Sequence, residues 1–134
     1  MKQMIFVNLP VADVRASREF YAALGYRFNE QFCDEDTACL VISDSIFAML
    51  MTTERFASFT PHRVVDAKTA TETMLCLSAE SREAVDALAD KALAVGGGQV
   101  RESMDEGYLY ARAFADPDGH IWETMWMDQA AVAG

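Results

Sequence analysis

Few residues in this chain could do chemistry, and the most conspicuous is an acid in an apolar strand. The segment FADPDGHIWE, Phe114 to Glu123, runs from a turn into a strand. Asp-Pro-Asp-Gly is turn chemistry: Pro117 presets φ, Gly119 accepts positive φ, and the aspartates bond nearby backbone amides. In the strand HIWETMW, alternation puts Ile121, Glu123 and Met125 on one face and Trp122, Thr124 and Trp126 on the other. Glu123 therefore stands among large apolar side chains, either at an edge open to water or as a functional acid in a cavity. An Arg across the sheet is the ordinary partner for such an acid. Arg112 is a candidate, but alternation groups Leu109, Ala111 and Ala113 with Glu123 and sends Tyr110, Arg112 and Phe114 to the other face. A register slip of one residue would reverse that grouping.

Other chemistries are excluded by what is missing. His62 and His120 are the only histidines. His120 is three residues from Glu123 and points to the opposite face, so a two-His-one-carboxylate iron site is not expected. No Ser or Cys sits in a nucleophile elbow. GGG at 96–98 reads as a helix stop without the Lys of a phosphate loop. Cys33, Cys39 and Cys76 are odd in number and lack CxxC spacing, which argues against a disulfide framework or zinc knuckle.

The remaining bounds come from size and charge. A chain of 134 residues with 51% hydrophobic and 24% charged residues is a single globular domain in size. Its net charge of −10 disfavours nucleic acid and tilts ligand preference toward cationic or amine-bearing compounds. No apolar run approaches the roughly 18 residues of a membrane span. MKQMIFVNLPVAD turns polar too soon for a signal peptide, so a cytoplasmic location is expected.

The elements that must position Glu123 occur twice. IFVNLPV is a strand, Asp13 an N-cap, and VRASREFYAALG a helix stopped by Gly25. YRFNEQFC, ACLVIS and SIFAMLM read as three further strands. From residue 71 the plan repeats: TETMLCLS is a strand, Ser78 or Ser81 caps a helix stopped by Gly96, and GQVRESM, YLYARAFA and HIWETMW are strands. The pattern predicts two β-α-β-β-β modules over residues 4–52 and 71–128, joined by a connector at 53–70 that holds a short helix from Thr53 to Phe59. The fold class is α+β, with helices on the outside. One helix cannot cover both faces of a four-stranded sheet, so the modules are expected to pair into a cupped, partly closed mixed sheet with a trough.

VADVRASREFYAALG (residues 11–25) and FADPDGHIWE, together with the duplicated module, resemble the vicinal oxygen chelate superfamily over nearly the whole chain. That superfamily includes glyoxalase I, extradiol dioxygenases, fosfomycin-resistance transferases, methylmalonyl-CoA epimerase and bleomycin-resistance binding proteins. The resemblance implies a trough that holds a divalent ion in the metal-using members. Of their ligand positions, the first falls at Phe6, the second at Met49 or Met51, the third at Glu72 within one residue, and the last at Glu123. Phenylalanine cannot ligate, and thioethers do not replace a carboxylate at a hard ion.

The expectation is a metal-free small-molecule binder and homodimer without a cofactor. Its largely apolar trough would be lined by Phe6, Asn8, Phe47, Met49, Met51, Glu72, Met74, Cys76, Ile121, Glu123 and Met125. The alternative is a glyoxalase-type lyase or isomerase using Mg, Mn, Zn or Ni with Glu123 as base, and Glu72 and Glu123 as residual metal ligands. An extradiol dioxygenase is not expected.

Overall fold

A computed structural model describes residues 2–133 and divides into two compact units that meet in sequence at Asp66 and Ala67, inside the expected connector. Each unit has one sheet, and the two sheets share one strand order.

In the first unit, β1 (Ile5–Val11) leads to α1 (Val14–Ala23). Asp13 starts the helix from an extended conformation, its carboxylate accepting the Ala16 N–H at 3.2 Å. β2 (Arg27–Phe28), β3 (Thr37–Val41), β4 (Ile46–Thr52) and the short α2 (Thr53–Ala57) complete the unit. The order is β1-β4-β3-β2, with β1 and β4 parallel and the rest antiparallel. YRFNEQFC is not one strand, as its apolar content suggested. The Asn29 side chain accepts the Gln31 N–H at 3.1 Å and starts a 3-10 turn at Glu30–Phe32, which ends β2 after two residues.

Register sorts the faces of this sheet. Leu9, Leu50 and Ala38 form one cross-strand row, and Val7, Ala48 and Leu40 the next. Ala38, Leu40, Ala48 and Leu50 are completely buried, and α1 packs on β3 and β4 through Val14, Phe20 and Tyr21. The alternate rows, Phe6–Phe47–Val41 and Asn8–Met49–Cys39, therefore lie on the opposite face.

The second unit contains β5 (Met74–Ser78), α3 (Arg82–Ala94), β6 (Gly98–Gln99), β7 (Met104–Asp105), β8 (Leu109–Ala115), β9 (Ile121–Met127) and α4 (Gln129–Ala133). The order is β5-β9-β8-β6, with β7 also on β8 and β5 parallel to β9. Ser81, not Ser78, caps α3 by accepting the Ala84 N–H at 3.0 Å. GQVRESM, expected as one strand, is two short pieces separated by a stretch that carries Arg101.

α3 buries Val85, Ala89 and Ala92 against β8 and β9. Its Asp86 accepts from the Tyr110 hydroxyl at 2.6 Å and from Arg112 at 3.0 Å, and its Asp90 from Arg112 at 2.7 Å. Tyr110 and Arg112 thus face the helix, as alternation predicts, and Glu123 does not. The DPDG turn holds this register. Asp116, 3% exposed, accepts the Asp118 and His120 N–H groups on one carboxylate oxygen at 3.0 and 2.9 Å. Among the described residues no helix is long and apolar enough to cross a membrane.

Two predictions follow from these turns and ion pairs. Gly119 has φ +92°, and an added Cβ would sit 2.7 Å from the Lys68 nitrogen. Gly119→Ala should therefore cost more than about 1 kcal/mol, read as a lower urea midpoint at unchanged m-value. Asp105 is drawn down to about 2, first by its hydrogen bonds from Arg82 and then by the Gly107 N–H. Its folded pKa lies below the ordinary 3.8, so its contribution to stability is present above that value and is lost as pH falls toward about 2. An NMR carboxyl titration should show the low midpoint, and Arg82→Ala should return it to the ordinary range.

Candidate functional site

On the face of the first sheet away from α1, Val41, Cys39 and Met51 are buried, and what is exposed lies along β1 and is chiefly hydrocarbon. Phe6, half exposed, stacks on Phe47 with ring centroids 4.8 Å apart and planes 11° from parallel. β1 is an edge strand, so the Phe6 ring is supported on one side only. Asn8 is exposed and Met49 half-buried in the next row, and Met51 is buried.

The open face of the second unit centres on Glu123. Parallel pairing with β5 sets Cys76 beside it, and antiparallel pairing with β8 sets Ala113 on its other side. Its carboxylate is bound at 2.6 Å by Arg101, with the two side chains 16% and 32% exposed respectively. Arg101 was not foreseen as the partner. The available signal was that it is the only cation between the end of α3 and the start of β8. Ile121 and Met125 share the face of Glu123, and Met74 beside Ile121 is 54% exposed. Ion pairing with a guanidinium lets a carboxylate remain charged among methionines.

Cys76 registers this charge pattern. Burial chiefly, and then the negative Glu123, push its thiol above the ordinary value, while Arg101 opposes them. Replacing Glu123 by Gln removes one upward influence and leaves Arg101 unneutralised, so the Cys76 thiol should become more acidic. Iodoacetamide labelling of Cys76 followed by peptide mass against pH should show its midpoint moved down in Glu123→Gln; an unmoved profile would contradict this electrostatic coupling.

Glu72 lies apart from these rows. β5 begins at Met74, leaving Glu72 exposed in the segment before the strand. Counting five residues back from the helix caps Asp13 and Ser81 and then following each sheet's register aligns Asn8–Met49–Cys39 with Cys76–Glu123–Ala113, and Phe6 with Met74. Met74, not Glu72, is thus the second-unit counterpart of Phe6.

The donor set does not suit a divalent ion. On the first unit the positions offer a phenyl ring and thioethers, and on the second Glu123 is committed to Arg101. Among the described residues no three His, Cys, Asp or Glu side chains gather as an ion would need. The second unit has in addition an open cleft of about 480 Å³ between residues 67–71, β6 and the DPDG turn, lined by Lys68, Thr69, Gln99, Asp116 and Ile121 among others. Sequence periodicity gave no sign of it.

Comparison with known proteins agrees with this architecture. Residues 3–43 match the family model described as bleomycin resistance protein-like N-terminal. A hypothetical protein from S. aureus is 27% identical over 94% of this chain and 95% of its own, with a TM-score of 0.80. A bleomycin resistance determinant encoded on the transposon Tn5 is 18% identical over 95% of this chain and 99% of its own, with a TM-score of 0.66. Lactoylglutathione lyase from Agrobacterium tumefaciens is 13% identical over 96% of each chain, with a TM-score of 0.68. No match was found among curated proteins. The resemblance read from the sequence holds: the chain has the α+β fold of the vicinal oxygen chelate superfamily.

Proposed function

We propose that this protein binds a small molecule with an aromatic or aliphatic body and a cationic group, without a metal, on the exposed aromatic surface of its first sheet. The observation that carries the reading is the stacked, half-exposed Phe6–Phe47 pair at the position where metal-using relatives would need a donor atom. Such a pair offers a flat apolar platform, and the adaptable thioether of Met49 in the next row of the same sheet extends it. On the second sheet the Glu123–Arg101 pair is a polar, charge-paired point among Ile121, Met125 and Met74. A net charge of −10 favours a cationic ligand at long range. The same fold in a bleomycin resistance determinant fits this chemistry.

A lyase or isomerase reading fits less well. A general base must be free to take a proton, and the Glu123 carboxylate is held by Arg101 at 2.6 Å. The reading includes a homodimer, which the exposed apolar side chains of Met4, just before β1, and Ile5 at its start support.

Two measurements test the proposal. Protein purified without chelator should carry far less than one equivalent of Mg, Mn, Zn, Ni or Fe; a stoichiometric ion overturns it. Thermal unfolding should be followed with metal-free bleomycin and with a panel of aromatic amines. A ligand at 100 times its Kd adds about 2.7 kcal/mol, a rise of several degrees in Tm that Phe6→Ala should remove. No shift with any compound, or shifts that persist in Phe6→Ala, would refute the assignment.

A further inference from the structure

Cys33 and Cys39, separate from the Glu123 pair, form a dithiol that the proposed binding function does not use. Cys33 closes the 3-10 turn and is half-buried; Cys39 is on β3 and 1% exposed. The Cys33 sulfur donates to the Asn29 carbonyl at 3.2 Å and lies 3.4 Å from the Cys39 backbone nitrogen, whose N–H points at it. Asn29 in turn donates its N–H to the Cys39 carbonyl at 3.0 Å, and the Asp34 N–H reaches the Thr37 carbonyl at 2.9 Å. These bonds fold residues 29–39 into a hairpin with the two cysteines on facing arms. A sulfur 3.4 Å from the other cysteine's backbone nitrogen places the two residues near the spacing of bonded cysteines, whose Cα atoms lie about 4.4–6.8 Å apart.

The surroundings favour one order of events. The Arg18 guanidinium binds Glu30, in the 3-10 turn that Cys33 closes, and stacks over the Phe28 ring at 4.7 Å, which sets a cation beside that turn. A cation beside the turn stabilises negative charge on the peroxide oxygen that departs as the O–O bond breaks. Cys39 is shielded, and burial, then Cys33, raise its thiol, with the Asn29 backbone opposing. Cys33 is therefore the thiol that meets an oxidant and Cys39 the one that resolves it. Glu30, Asp34, Glu35 and Asp36 are exposed around the hairpin and repel anionic oxidants such as glutathione disulfide.

We propose that Cys33 and Cys39 are a modification site at which a small neutral hydroperoxide drives formation of an intramolecular disulfide. The Cys33 sulfur attacks the terminal peroxide oxygen, so that an S–O bond forms, the O–O bond breaks, and alcohol or water leaves with the thiol proton. The Cys39 sulfur then displaces the hydroxyl from the Cys33 sulfenic acid. The S–S bond forms, and water departs with the Cys39 proton. Two electrons pass from the thiol pair to the peroxide.

The test uses the native protein with hydrogen peroxide, alkylation of residual thiols, and peptide mass. Trypsin leaves residues 28–55 as one peptide containing both cysteines and not Cys76. The expected product is this peptide short of two hydrogens, unalkylated and restored by dithiothreitol, with Cys76 still alkylated. In Cys39→Ser, the Cys33 sulfenic acid should be trapped by dimedone, and in Arg18→Gln the loss of Cys33 thiol should slow several-fold while Cys76 labelling is unchanged. Full alkylation of Cys33 and Cys39 after peroxide overturns the proposal, and so does oxidation confined to Cys76. The peptide map of the unsubstituted protein decides the matter even if a variant misfolds, and its outcome is independent of whether any ligand binds.

Discussion

The register of β8 against β9 is the constraint on which the rest of the second unit depends. It is fixed at the turn by one nearly buried carboxylate, Asp116, which gathers the amides of Asp118 and His120. With Ala115 opposite Ile121, every second residue is committed: Trp122 and Thr124 go to the helix, Glu123 and Met125 away from it. A slip of one residue would bury Glu123 beneath α3, beside Asp86 and Asp90, and expose two tryptophans. Repulsion between carboxylates and the loss of tryptophan burial both oppose that alternative, so the turn and the faces enforce one another.

Once the register places Glu123 on the open face, electrostatics determine what else must be there. A carboxylate 16% exposed among Ile121, Met125 and Cys76 loses much of its hydration, and a charge-assisted bond from a guanidinium offsets that loss. Arg101 reaches Glu123 from the break between β6 and β7, where the polypeptide between α3 and β8 is not one strand. A continuous strand would hold side chains perpendicular to the sheet, whereas the break between β6 and β7 frees residue 101 to reach across to β9.

Much of this was legible in the sequence because the controlling physics is local. Asp13 and Ser81 bond amides three residues away, Gly25 and Gly96 have positive φ where the helices end, and alternation alone placed Arg112 toward α3. What escaped depends on contacts without a period. Arg101 meets Glu123 across 22 residues through an irregular segment. The 3-10 turn arises from a single Asn29 side-chain bond that competes with apolar content favouring a strand. Counting back along β5 reaches Glu72, two residues before Met74, because the count starts from the strand's end and not from the helix cap Ser81, which fixes where β5 stands relative to β1.

That equivalence explains how two copies of one plan came to differ. The row Asn8–Met49–Cys39 of the first sheet answers to Cys76–Glu123–Ala113 of the second. Met49 is neutral and needs no counter-charge, so its surroundings can remain apolar and carry the stacked phenyl pair. Glu123 at the equivalent point needs Arg101, and its neighbours on β8 are correspondingly small, Ala111 and Ala113, leaving space over the strand for a long side chain to lie. A carboxylate cannot be introduced or removed on such a face alone, since deleting either member leaves the other charged and only partly hydrated. Glu123 and Arg101 therefore behave as one unit, and the difference between the two sheets is a difference of charge pairing built on identical strand geometry.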